Sequence, residues 1–247
     1  MDVTGFDGTR LNMTQMGEGT PMLLLHGLFS SADINWLRFG TAKRLVAAGY
    51  RLFMPDFRGH GRSESPRAAE AYPADVLALD TEAIVAQLGL GDDFILCGYS
   101  MGARTAVRLM ARGMRPRRAI LAGMGLQGLV GGDARASWFI RMIEGRGSWP
   151  RGSGEFMAEA FMKSNIRDPD MMVHLLRSQQ ATAAEELAAL KLPILVLCGA
   201  DDADNGSAPD LAAALPNAEY AEIPGNHMAS VTKAALADAM IDWLRKG

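Results

Sequence analysis

Cysteine is nearly absent from this chain: there are two, Cys97 and Cys198, in 247 residues. Each ends a short apolar run, which predicts buried free thiols and no disulfide framework, a usage that fits a reducing compartment. Long apolar runs are missing too. No stretch approaches the roughly 20 residues that span a bilayer, and the opening Met1 Asp2 Val3 Thr4 Gly5 lacks the basic and apolar regions of a secretory signal. A cytoplasmic protein that keeps out of membranes is expected. Charge of one sign is also lacking: 25 Lys and Arg stand against 28 Asp and Glu, a formal net charge of −3. That balance offers no basic face to nucleic acid. The one basic cluster, Arg112, Arg115, Arg117 and Arg118, falls at the end of a helical pattern, where cations complement the helix dipole. The chain has no internal repeat, no low-complexity tract and no His, Cys, Asp or Glu grouping with metal-ligand spacing, so neither a metal nor a cofactor is expected.

What is present is apolar and patterned. About half the residues are hydrophobic (49%), and a chain of this length can bury roughly 70 to 75% of its unfolded surface in one core. A hairpin is expected from Val3 to Met16, then strands at Met22–Leu25, Tyr50–Met54, Asp93–Cys97, Arg118–Leu121, Pro193–Cys198 and Ala218–Ile223. Helices are expected over about Ile34–Ala48, Ala74–Leu88 and Met101–Arg112, with a last one at the C-terminus. Strands alternating with helices predict an α/β fold, a mostly parallel sheet covered on both faces. After Leu121 the alternation stops. Glycines crowd the next ten residues, and no strand returns until Pro193. The insert, about Leu126 to Leu190, carries three apolar stripes: Trp138, Phe139, Met142 and Ile143; Phe156, Met157, Ala160 and Phe161; and Met171, Met172, Leu175 and Leu176. Most of each stripe should pack the insert onto the sheet, and a few side chains should line a ligand pocket.

The chemistry is concentrated at Gly98 Tyr99 Ser100 Met101 Gly102. This stretch joins a buried strand to a helix with Ala103, Ala106, Val107 and Met110 on one face and Arg104, Arg108 and Arg112 on the other. Glycines two residues either side of Ser100 permit a sharp turn that exposes its hydroxyl, and the helix start points free N–H groups at the same place. A serine nucleophile needs a base, and the base needs a carboxylate. Of four histidines, His26 and His60 sit in glycine turns and His174 on a helical pattern, each with a structural reading. His227 remains, in the loop Pro224 Gly225 Asn226 His227 after a strand. The strand at 193–198 runs into Gly199 Ala200 Asp201 Asp202 Ala203 Asp204, and spacing alone does not choose between Asp201 and Asp202.

These motifs, with Leu25 His26 Gly27 Leu28 Phe29 and Asp56 Phe57 Arg58 Gly59 His60 Gly61 Arg62 Ser63, resemble the α/β-hydrolase superfamily, of its small esterase and lactonase type. The order serine, acid, histidine is that family's. The resemblance covers nearly the whole chain. It implies one α/β-hydrolase domain over 1–247, with core 1–125 and 191–247 and a small helical cap, about 126–190, inserted after the sixth strand. It implies Asp202 as the acid, with Asp201 as the fallback, and the amides of Leu28 and Met101 as the oxyanion hole. His26, Asp56, Arg58 and His60 are expected to brace loops. The activity implied is hydrolysis of a small to medium, largely apolar carboxylic ester, thioester or lactone through an acyl-enzyme. Carbon–carbon bond hydrolysis and perhydrolysis use the same three residues, and a non-catalytic ligand receptor is the alternative of another class. Haloalkane dehalogenases and epoxide hydrolases of this fold carry aspartate where Ser100 stands, and the latter also need cap tyrosines; the tyrosines here are Tyr50, Tyr72, Tyr99 and Tyr220. Apart from a small-molecule substrate, the only partner envisaged is a second copy of the chain.

Overall fold

The computed structural model describes residues 1–131 and 133–246. Among them eight strands form one sheet: β1 (Asp2–Thr4), β2 (Arg10–Met16), β3 (Thr20–Leu25), β4 (Tyr50–Pro55), β5 (Ile95–Tyr99), β6 (Arg118–Ala122), β7 (Ile194–Gly199) and β8 (Ala218–Ile223). The spatial order is β1-β2-β4-β3-β5-β6-β7-β8. β1 and β2 pair antiparallel, β2 joins β4 antiparallel, and every later pairing is parallel. The helices are α1 (Thr41–Ala47), α2 (Val76–Leu88), α3 (Met101–Ala111), α4 (Gln127–Val130), α5 (Asp133–Glu144), α6 (Gly154–Asn165), α7 (Pro169–Ser178), α8 (Ala184–Ala188), α9 (Ala208–Ala214) and α10 (Ala234–Leu244).

Alternation along the central strands feeds two cores. Leu23, Leu25, Leu96, Ala119, Leu121, Ile194 and Val196 face one layer with side chains of α2, α3 and α9. Met22, Leu24, Ile95, Cys97, Ile120, Leu195 and Leu197 face the other, against α1 and α10. Such strands are buried on both faces, which is why they read as continuous apolar runs. Both cysteines are buried and free. The arginine cluster is engaged locally: Arg112 pairs with Glu82 at 2.7 Å and Arg117 with Asp93 at 3.1 Å, while Arg118 caps α10 through the carbonyls of Trp243 and Leu244. Among the described residues no helix is long and apolar enough to cross a membrane.

Two local expectations are corrected. The helix expected over Ile34–Ala48 is broken: Asp33–Leu37 forms a wide five-residue helical turn, and Gly40, at φ 85°, separates it from α1. Helical periodicity ran through this break because Trp36, Ala42 and Leu45 all bury against the same core. In α6 the expected stripe is turned wrongly. Phe156 and Met157 are exposed, and the inward face carries Glu159 and Met162. The Glu159 carboxylate accepts the Gly147 N–H at 3.0 Å and pairs with Lys163, so a charged residue tolerates the buried position that a composition-based stripe assigns to its apolar neighbours.

The order of strands reverses on either side of β3 and β5, and the crevice beyond their carboxyl ends is where open α/β sheets bind ligands. Leu25 pairs with Gly98 in register. The loops that follow, beginning at His26 and at Ser100, therefore emerge side by side.

Candidate active site

Ser100 occupies a strained turn between β5 and α3, at φ 54° and ψ −114°. The turn is tight enough to require its glycines. A Cβ on Gly98 would lie 2.2 Å from the Gly102 carbonyl, and one on Gly102 would lie 2.1 Å from the Leu25 carbonyl oxygen. The turn is held by the Ser100 N–H, which donates to Ala122 O at 2.8 Å. His227, after β8, reaches across from the loop 224–229. Its Nε2 lies 2.9 Å from Ser100 Oγ and its Nδ1 lies 2.9 Å from Asp202 Oδ2. The tautomer that satisfies both contacts has Nδ1–H donating to Asp202 and Nε2 accepting the Ser100 hydroxyl proton.

Asp202 follows β7, and its side chain is 1% exposed. Burial alone would raise its carboxyl, but the hydrogen bond and charge of His227, with the Asp204 N–H on its other oxygen at 3.2 Å, hold it below the ordinary value. Asp201, by contrast, is exposed. Its backbone N–H donates to Gly225 O at 3.1 Å, tying the loop that carries Asp202 to the loop that carries His227. The structure thus brings Ser100, His227 and Asp202 together and leaves the Asp201 carboxylate outside. Cys198 lies near this group, with Sγ 3.8 Å from Asp202 O. Burial, then the Asp202 charge, pushes its thiol up to about 12.

The loop after β3 lies against the serine: a Cβ on Gly27 would sit 3.5 Å from Ser100 Cβ. Its amides are mostly engaged. Gly27 N–H donates to Asn35 Oδ1 at 2.9 Å, Phe29 N–H to His60 Nε2 at 3.2 Å and Ser30 N–H to Gly27 O at 3.3 Å. Among the described residues no acceptor meets the N–H of Leu28, nor that of Met101 at the start of α3. These are the two amides named from sequence.

His26 and His60 brace this region. His26 Nδ1–H donates to Gly27 O at 2.7 Å while Nε2 accepts the Phe57 N–H at 3.0 Å, and His60 Nδ1–H donates to Arg58 O at 3.0 Å. Each ring is neutral. Burial lowers both, outweighing the nearby Asp56 charge at His26 and taking His60 down to about 3. Asp56 accepts from Asn12 Nδ2, Ala32 N–H and Arg62 N–H at 2.8 to 3.0 Å. Arg58, fully buried, forms a two-pronged pair with Asp80 at 2.6 Å. Sequence reasoning missed Asn35 and Tyr99, whose hydroxyl donates to His227 O at 2.6 Å. Tyr99 stood inside the serine motif but at a position where no side-chain type is demanded. Asn35 carried no signal, because the wide turn that aims it was unforeseen.

Residues 22–239 match the Alpha/beta hydrolase family. The chain belongs to this family. It is 37% identical over 126 residues to a non-heme haloperoxidase of Rhodococcus erythropolis, covering 49% of this chain and 43% of that one. It is 32% identical over 139 residues to an epoxide hydrolase of Caballeronia sordidicola, 56% of this chain and 40% of that one. The chain thus spans less than half the length of these curated relatives. A thermophilic esterase from Thermogutta terrifontis shares the fold with a TM-score of 0.81, at 22% identity over 100% of this chain and 98% of that one.

Proposed function

We propose that this member of the α/β-hydrolase family is a serine hydrolase that cleaves a small to medium, largely apolar carboxylic ester through an acyl-enzyme. One observation carries the reading: the His227 imidazole lies within 2.9 Å of both Ser100 Oγ and the buried Asp202 carboxylate. Ser100 Oγ attacks the ester carbonyl as His227 Nε2 takes its proton, and Asp202 stabilises the imidazolium. The Leu28 and Met101 amides hold the negative charge that develops on the carbonyl oxygen, each lowering the barrier by on the order of 3 kcal/mol, as oxyanion donors do. The imidazolium then protonates the departing alcohol. In the second half, His227 takes a proton from water as its oxygen attacks the acyl-serine carbonyl, and when the C–Oγ bond breaks the imidazolium returns that proton to Ser100 Oγ, releasing the acid.

The segment 126–190 serves as the cap in this reading. Its α5 reaches the site's edge, where Phe139 packs edge-on against Phe29, the residue after Leu28, at 5.5 Å. Apolar and aromatic walls of this kind suit an apolar acyl or alcohol group. The serine itself argues against epoxide opening, and no tyrosine occurs in 126–190. The haloperoxidase name of one relative favours a second reading, in which hydrogen peroxide replaces water as acceptor for the same acyl-enzyme. The test is hydrolysis of p-nitrophenyl esters from acetyl to octanoyl, with the Ser100→Ala protein as the blank. Turnover that falls about a million-fold in the variant supports the reading; turnover that survives it, or none in either protein, overturns it.

A further inference from the structure

The last strand before the nucleophile ends on a side chain that the catalytic scheme leaves unused. Tyr99 is 4% exposed, and its ring is wedged where β6 ends: a Cβ on Gly123 would lie 2.7 Å from the ring. The hydroxyl donates to the main-chain carbonyl of His227 at 2.6 Å, and the ring lies 5.4 Å from the imidazole, centroid to centroid. β5 and β8 are separated in the sheet by both β6 and β7, so the histidine's loop needs a tie that crosses the sheet's end. Its other anchors do not supply one. Asn226 Oδ1 accepts from Met228 and Ala229 N–H within the loop, Ser230 N–H donates to Asn226 O, and Gly225 O accepts from Asp201 N–H beyond β7. Among the described residues, the Tyr99 bond is the one hydrogen bond, besides His227 to Ser100 itself, that joins this loop to the nucleophile's strand.

We propose that Tyr99 is a positioning residue for the general base, its hydroxyl holding the His227 backbone at the height from which the imidazole meets Ser100. The proposal rests on the serine-hydrolase reading above. Because Tyr99 and Ser100 are consecutive, a shift of the nucleophile's strand carries the histidine with it, and the 2.9 Å contact survives motion of the sheet's end. The buried carbonyl of His227 also loses its partner when the hydroxyl goes, so the loop relaxes toward another one.

Tyr99→Phe removes a single oxygen and keeps the ring. Two readouts are taken at 25 °C, well below the melting temperature: steady-state hydrolysis of p-nitrophenyl butanoate, and the second-order rate at which a fluorophosphonate labels Ser100. The expected result is a fall in kcat of about 10- to 100-fold, the cost of a misplaced catalytic group, with KM within about twofold and labelling slowed in proportion. A merely structural hydroxyl would lower the melting temperature and leave kcat alone. Replacing Tyr99 with 4-aminophenylalanine restores a donor at the same place, and activity should return to within about threefold of wild type; this variant serves also if the phenylalanine protein folds poorly. Wild-type protein that labels readily, beside a Tyr99→Phe protein that labels and turns over equally fast, overturns the positioning role and leaves the hydrolase reading standing. Wild-type protein that does not label overturns the hydrolase reading itself.

Discussion

Exchanging Asp202 for asparagine, with Asp201→Asn beside it, probes the charge on which the proposed base depends. The replacement amide has a defined orientation. Asp202 Oδ1 accepts the Asp204 N–H at 3.2 Å, so the amide oxygen takes that place and the NH2 faces His227 Nδ1. Nδ1 must then accept, its proton moves to Nε2, and the imidazole presents N–H to Ser100 Oγ where a lone pair is needed. The charge that stabilises the imidazolium is gone as well. The same exchange in a serine-protease triad lowers kcat about ten-thousand-fold, or about 5.5 kcal/mol of barrier, and a loss of that size is expected here. Asp201 is exposed, and only its backbone N–H touches the site's loops; Asp201→Asn should change kcat by less than about twofold, as surface substitutions do. The assay is initial-rate hydrolysis of p-nitrophenyl butanoate at pH 8, with folding checked by circular dichroism. A larger loss for Asp201→Asn, or a loss below tenfold for Asp202→Asn, would refute the reasoning.

Acid should unfold this protein early, because His26 and His60 are buried neutral. His60 binds a proton at about 3 when folded against an ordinary value of 6.5, so below 6.5 the unfolded chain holds the extra proton. Stability is full above that pH and declines toward 3; His60 alone should remove about 2 kcal/mol at pH 5. Urea unfolding at pH 7.5 and 5.0 measures the difference, and equal stabilities would show that the rings can protonate in place. Gly102→Ala sets a methyl 2.1 Å from the Leu25 carbonyl oxygen, backbone against backbone. Overpacking of this kind costs about 1 to 3 kcal/mol, and a melting temperature lower by about 2 to 12 °C is expected for a chain of this size; an unchanged one would mean that the turn opens freely.

Much of this architecture was legible because it rests on local rules. Strands buried on both faces, such as Ile194–Gly199, read as apolar runs ended by glycine, and the serine turn read through two glycines that its close contacts demand. His227 was reached by eliminating three histidines, and two of those, His26 and His60, do brace loops through both ring nitrogens. The acid was harder. Asp201 and Asp202 differ in nothing local, and only the approach of the 224–229 loop to β7 decides which carboxylate faces the imidazole. What was illegible depends on tertiary contacts in the same way. The break at Gly40 hid inside an unbroken apolar periodicity, and the inward face of α6 was set by Glu159 and its partners, Gly147 N–H and Lys163. Tyr99 could be placed on a core strand but not aimed at a carbonyl 128 residues away.

The most direct test of the central claim is the intact mass of the protein after exposure to a fluorophosphonate, followed by mapping of the labelled peptide. A serine nucleophile predicts one adduct per chain, on Ser100, and none on the Ser100→Ala protein. An unlabelled wild type, or an adduct that persists at another residue in Ser100→Ala, would contradict it.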